Sequence, residues 1–418
     1  MKKKVVSLLT AMALTAMTLA GCGSSTAADS TDSTAAETTE EAADTEADAD
    51  RTAAVTNVKA GFIFLHDENS TYDLNFLNGA KAACEKLGIE YMTKTNIPEG
   101  QEAYEAACEL ADAGCNFIFA DSFGHEDYII EAAKEYPNVQ FSHATGTKAH
   151  TEGLDNFHNA FASIYDGRYL AGIAAGMKLN EMIENGDITA DQAKIGYVGA
   201  FPYAEVISGF TSFYLGAKSV CESVTMEVQY TNSWADMTAE GEVANQLIAD
   251  NCVLISQHAD TTGAPSACET AGVPCVGYNV DMTSVAPDAA LTSPTNNWGV
   301  YYTYAVQCVL DGKAIDTDWC KGFSEDAVRI TPVNEAVAAE GTDAKVEEVE
   351  AALKDGSLHV FDTSTFTVNG SSLEDLIAEG GDYAKYADYV SDGYYHESEL
   401  ASAPSFDIII DGITSQAN

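Results

Sequence analysis

The residues with chemistry to offer sit in short polar loops, each following an apolar run of strand length. The first loop is His66-Asp67-Glu68-Asn69-Ser70-Thr71-Tyr72-Asp73-Leu74-Asn75, and the next is Asp121-Ser122-Phe123-Gly124-His125. Later come Gly199-Ala200-Phe201-Pro202-Tyr203, Thr231-Asn232-Ser233-Trp234, Gln257-His258-Ala259-Asp260, Asn279-Val280-Asp281 and Pro294-Thr295-Asn296-Asn297-Trp298. These loops pool aromatic planes with Asn, Asp, Ser and Gln and hold little positive charge. Flat rings with a few aimed hydrogen-bonding groups suit a neutral, flat, polar ligand such as a heterocyclic base. A phosphate or carboxylate ligand would want Arg, Lys or a glycine-rich cradle instead. The candidate contacts are therefore Asp67, Tyr72, Asn75, Ser122, Phe123, Phe201, Trp234, Asp260, Asn279, Asp281, Asn296 and Trp298.

Duller uses compete for the same residues. An Asp at a strand-to-helix junction commonly caps the helix, which applies to Asp67, Asp236, Asp260 and Asp281. Asn279 can shape a turn, and an aromatic that opens a helix, such as Tyr72 or Phe123, commonly joins the core. Catalytic readings are thinner. Ser122, His125 and Asp127 can be drawn as a triad, but no Gly-x-Ser-x-Gly elbow accompanies them. His143, His150 and His158 have no tight ligand spacing and no paired Cys. Asp67, Glu68 and Asp73 lack the spacing of the acidic metal cluster that a nucleoside hydrolase would need. The pattern is that of a binding protein without a cofactor.

The elements that position these loops alternate. Strand-length apolar runs fall near 58–65, 89–92, 116–120 and 139–142, separated by helical patterns at 72–87, 101–113 and 126–136. Gly88 and Gly114 stop the first two helices, and the third stops before Pro137. The rhythm resumes with a helix at 165–179 that is rich in small residues and suited to a close neighbour. Strands then read at 194–198, 226–230, 252–256 and 274–278, with a shorter one at 290–293. Helices read at 206–220, 239–249, 265–271 and 298–310, and a charged one at 343–354. Strands separated by helices mean βαβ units and parallel sheets. Two successive sets predict an α/β chain of two Rossmann-like lobes, whose ligands bind outside the carboxyl ends of the strands.

Composition narrows the partners. A formal net charge of −45, with 20 Lys and Arg in 418 residues, argues against nucleic acid. The start of the chain carries Lys2, Lys3 and Lys4, an apolar run to Leu19, and then Leu19-Ala20-Gly21-Cys22. It reads as a secretory signal over 1–21, and its end resembles the bacterial lipobox, with Cys22 acylated as the first mature residue. Residues 22–54, nearly all Ser, Thr, Ala, Asp and Glu, read as a disordered acidic tether. A lipid anchor is the sole membrane element expected. The other nine cysteines read chiefly as small buried hydrophobes, although a pairing of Cys252 or Cys268 with Cys275 stays open.

Several segments occur together in order: Ser122-Phe123-Gly124-His125, His143-Ala144-Thr145-Gly146, Gly167-Arg168-Tyr169-Leu170-Ala171-Gly172, Ile195-Gly196-Tyr197-Val198, Gly277-Tyr278-Asn279-Val280-Asp281-Met282, Asn297-Trp298-Gly299 and Phe406-Asp407-Ile408. As a set they resemble the basic membrane protein (BMP) family of ABC-transporter substrate-binding lipoproteins. The resemblance implies a type I periplasmic-binding fold with a hinge. Lobe 1 would span 55–160 with a return segment near 293–320, and lobe 2 would span 161–292 with 321–418. It also implies a purine nucleoside or nucleobase as ligand, and an ABC permease with its ATPase as partners of a monomer. On that resemblance Tyr72 stacks on the base and Asn75 is its polar neighbour, while Phe123, Phe201 and Asp281 complete the contacts. Nucleoside-binding members have a Lys near the position of Asn296, where it reaches the ribose. Its replacement moves the expectation toward a base without sugar. A surface sensor, a sugar or peptide binder, and a hydrolase are the alternatives.

Overall fold

The computed structural model describes residues 57–416. The secretory signal, Cys22 and the acidic tether lie outside the described residues.

The first half builds β1 (Lys59–Ile63), α1 (Thr71–Leu87), β2 (Glu90–Lys94), α2 (Gln101–Asp112) and β3 (Phe117–Ala120). It continues with α3 (Glu126–Glu135), β4 (Gln140–Ala144), the short α4 (Ala149–Glu152) and β5 (Phe157–Ala160). α1 shows why the local sequence folds as it does. Ser70 caps it by accepting from Asp73 N, and Gly88 ends it in the left-handed region at φ 68°. Between them Asp73, Phe76, Ala80, Ala83 and Cys84 make one buried face.

The second half opens with α5 (Ile164–Asn185), β6 (Lys194–Gly199), α6 (Ala204–Val220), β7 (Thr225–Tyr230) and α7 (Met237–Ala249). Then come β8 (Leu254–His258), α8 (Gly263–Ala271) and β9 (Cys275–Val276). The small residues of α5 do bring a neighbour close. A Cβ on Gly172 would meet Phe213 O at 2.1 Å, and one on Gly216 of α6 would meet Tyr169 O at 2.1 Å, so each helix needs the other's glycine.

The chain then crosses back. β10 (Pro294–Asn296) leads into α9 (Trp298–Asp311), β11 (Asp318–Trp319) and β12 (Val328–Ile330), followed by α10 (Thr342–Asp355) and α11 (Leu373–Glu379). A small hairpin of β13 (Val390–Ser391) and β14 (Tyr394–Tyr395) precedes the last strand, β15 (Ile413–Gln416). The result is a parallel six-stranded sheet in the order β11-β5-β4-β3-β1-β2 and a parallel five-stranded sheet in the order β15-β7-β6-β8-β9. β10 and β12 pair antiparallel, Thr295 opposite Arg329, where the chain passes between the sheets.

Two readings need amendment, and one left open is settled. The run 290–293 lies along β9, through Leu291 N to Cys275 O at 2.8 Å, but the strand proper begins at Pro294. β5 and α4 went unread because His158 and Asn159 look like loop residues. Both are buried with their polarity met: His158 Nε2 lies 2.9 Å from Gln140 Oε1, and Asn159 Oδ1 accepts from Ala149 N at 2.8 Å. The nine described cysteines are all free, Cys252, Cys268 and Cys275 among them.

Candidate functional site

The carboxyl ends of both sheets face one cleft, which holds about 380 Å³ of atom-free space including its mouth. From the first sheet, Leu65, His66, Tyr72 and Asp73 follow β1, Ser122 and Phe123 follow β3, and Thr145 follows β4. From the second, Glu205 follows β6, Trp234 follows β7, His258 and Asp260 come at the end of β8, and Tyr278 follows β9. The two walls touch. Thr71 N donates to Asp260 O at 2.7 Å, and the Phe123 ring lies 5.9 Å from Tyr203. Tyr203 stacks in turn on Phe201 at 5.2 Å, and Phe201 meets Trp234 edge-on at 5.3 Å. An aromatic row therefore runs along one wall and reaches across to the other.

Among the described residues no lysine or arginine lines this cleft, whereas three carboxylates do. Asp73 is buried, and burial would push its carboxyl up. The hydrogen bonds from His66 and Ser70, the latter at 2.6 Å, outweigh burial and hold it below the ordinary range. Asp260 goes the other way: burial, then the nearby Glu240, Asp73 and Glu205, push it well up. Burial, then the Arg168 charge, lowers His258 to about 4 against the pull of Glu205, so the ring is neutral at pH 7. Thr145 holds φ at 62°, an unusual strain for a β-branched residue and one at home in a site.

A family model described as Bmp, ABC transporter substrate-binding protein PnrA-like, matches residues 64–358, well over half of the chain. The chain belongs to the Bmp family. It is 33% identical over 313 residues to a purine-binding protein of Brucella abortus, covering 74% of this chain and 84% of that one. It is also 32% identical over 226 residues to a protein of Haloferax volcanii whose name assigns it provisionally to ABC transporter glucose binding, covering 54% and 53%. Among solved structures, a solute-binding protein of an ABC transporter system from Aeropyrum pernix superposes with a TM-score of 0.62 at 17% identity, covering 77% of this chain and 96% of that one. The fold is thus that of the ABC solute-binding proteins. Bmp proteins are extracytoplasmic substrate-binding components, and no helix among the described residues is long and apolar enough to cross a membrane.

Within this Bmp protein, the structure brings Tyr72, Ser122, Phe123, Trp234 and Asp260 together in the cleft lining. Other residues picked from sequence stand elsewhere. Asp67 folds its own turn, accepting from Asn69 N at 3.0 Å, and exposed Asp281 does the same for Thr283 N at 2.8 Å. Asn75 Nδ2 donates to Asn296 O at 2.9 Å, which ties α1 to the crossing strand where Asn296 is buried. Asn279, at φ 66°, backs Asp260 from 3.4 Å, and Phe201 stands behind Tyr203. Trp298 is 2% exposed and stacks on Phe76 of α1 at 4.1 Å, in the core and not in the cleft lining. Ser122 Oγ is held by Glu99 Oε1 at 2.6 Å and His125 Nε2 lies 2.9 Å from Ile97 O, so neither faces the other as a triad would.

Sequence reasoning missed Leu65, His66, Asp73, Thr145, Glu205, His258 and Tyr278. The rule that found the loops could have supplied His66, His258 and Tyr278, because each directly follows or ends a strand. Glu205 and Asp73 lie a turn into a helix, and only the approach of the two walls makes them lining residues.

Behind the cleft, wholly buried Glu240 accepts from Thr261 N at 3.2 Å and Thr261 Oγ1 at 2.7 Å, fixing the loop that carries Asp260. Burial, opposed by those bonds, pushes its carboxyl from 4.5 up to about 7. The folded protein then binds more protons than the unfolded one between these values, so this contribution is complete below about pH 4.5 and is lost as pH rises through about 7. Comparing urea unfolding of wild type with Glu240→Gln should show the wild-type advantage shrinking by roughly 3 kcal/mol as pH is raised across that window. A pH-independent difference would mean that Glu240 is ionised throughout.

Proposed function

We propose that this chain captures a purine base or purine nucleoside outside the cytoplasm and delivers it to an ABC permease. The observation that carries the reading is the cleft itself: aromatic rings (Tyr72, Phe123, Trp234, Tyr278) beside carboxylates, with no lining lysine or arginine among the described residues. A purine offers π faces for the rings and N–H groups for Asp73, Glu205 and Asp260, whereas a phosphate or a carboxylate would meet like charge. Relatedness to a purine-binding protein over most of both chains supports the same ligand class.

Closure belongs to this proposal. The lobes, 55–160 with 293–320 and 161–292 with 321–418, would open about the crossing segments and shut when ligand contacts both walls. On this reading the bond from Thr71 N to Asp260 O at 2.7 Å would break on opening. Acylation at Cys22 and an acidic tether over 22–54 would hold a monomer near its permease.

Mass spectrometry of small molecules released by denaturing the purified body tests the ligand class, and a purine is the expected product. Trp234→Ala should weaken purine binding about 10- to 100-fold, the usual worth of one aromatic–base stack. One observation favours a second reading, a neutral sugar: the Haloferax volcanii relative is named for glucose binding, and sugar rings also use aromatic faces and carboxylates. Release of a hexose instead of a purine would decide for it.

A further inference from the structure

The floor of the cleft contains a hydrogen-bond donor that the protein leaves unused. Tyr278 lines the cleft and is 1% exposed, yet no acceptor among the described residues meets its hydroxyl hydrogen, since the Arg168 guanidinium beside it can only donate. Hydroxyls buried to this degree are ordinarily paired, because an unmet one forfeits its bonds to water. Nor can the ring swing away to find a partner. The guanidinium of Arg168 lies on one face, Cζ 3.7 Å from the ring centroid, and His258 packs against the ring at 4.8 Å.

Arg168 is as unusual as the hydroxyl it backs. It is wholly buried, its Nη1 donates to Gln257 O at 2.7 Å, and its Nε and Nη2 make no hydrogen bond. Space for this stack is reserved at position 209, where a Cβ would strike His258 Nδ1 at 2.5 Å and come within 3.6 Å of Arg168 Nε. A buried, incompletely paired guanidinium is costly to keep. What it does here is hold a phenol ring in one orientation.

We infer that Tyr278, clamped by Arg168, is a specificity-determining residue whose hydroxyl donates to an acceptor atom on the ligand. The carboxylates Glu205 and Asp260 in the same wall accept from the ligand. The bound edge must therefore present an acceptor beside a donor, as the edge of a purine base does. A ligand that only donates, such as an ammonium ion, leaves the hydroxyl unmet. The inference rests on the purine reading and adds a direction to it: which edge of the base points at the second lobe.

The test pairs a variant with ligand analogues. Tyr278→Phe removes only the oxygen, and calorimetry should show about 10-fold weaker binding of adenine or hypoxanthine, whichever wild type prefers, at an unchanged melting temperature. Among analogues of that base with one acceptor atom replaced by C–H, one should bind wild type and Tyr278→Phe equally. That analogue identifies the acceptor. Equal affinity of the two proteins for the parent base, or the same loss in both proteins for every analogue, overturns the inference while leaving the purine reading in place. Wild type that binds neither base, and neither adenosine nor guanosine, overturns both.

Discussion

Trp298→Ala should cost about 3–5 kcal/mol of folding stability, one of the largest losses open to a single substitution in this chain. The indole is 2% exposed and stacked on Phe76 at 4.1 Å, with Phe119 and Phe161 within 6 Å of it. α1 is fitted to it as well, since a Cβ on Gly79 would stand 2.7 Å from the Trp298 Cβ. Truncation would remove the apolar area and leave a cavity that the two helices cannot close without moving. Urea denaturation checks it: the midpoint should fall sharply. A variant that keeps its midpoint and loses only ligand affinity would return Trp298 to the cleft.

Asp260→Ala is the second large effect, this time on binding. Its side chain enters the cleft at 5% exposure, its backbone N–H donates to Trp234 O at 2.8 Å, and its carbonyl receives Thr71 N from the opposite wall. Those backbone bonds survive the substitution, so the variant should still fold and close. What it would lose is the carboxyl group proposed to accept from the ligand's N–H groups, and leaving a buried donor unmet commonly costs about 1–3 kcal/mol. We expect roughly 10- to 100-fold weaker purine binding, measured by calorimetry. Asp281→Ala is the control: that residue is exposed, bonds only within its own turn, and should leave affinity unchanged.

These two residues also show where sequence was a good guide and where it was not. The α/β rhythm was legible because β1, β3, β6 and β8 are short apolar runs and Gly88 ends α1 in the left-handed region, whereas α5 runs six residues past its expected end at 179 to Asn185. Asp260 was legible because a parallel sheet offers its strand ends to ligand. Trp298 misled because two asparagines precede it, which suggests a wet loop. Asn75 and Asp326 bond the backbone or side chains of that loop, and the indole drops into the core behind it. β11 is two residues long and joins β5 from 159 positions away, Asp318 beside Asn159 being one of its pairs, so no local pattern could announce it. Asp67 and Asp281 illustrate a chemical ambiguity: the same carboxylate that could read a ligand is equally able to close its own turn. Tyr278 was hidden by type, since a tyrosine that ends an apolar run looks like core until the opposite wall turns the space beside it into a cleft.

The most direct measurement is a calorimetric titration of ligand-stripped protein with adenine, hypoxanthine, adenosine and D-glucose in turn. The account predicts saturable one-to-one binding of at least one purine, lost in Asp260→Ala, and no saturable heat from glucose. Saturable binding of glucose, with none of any purine, would contradict it.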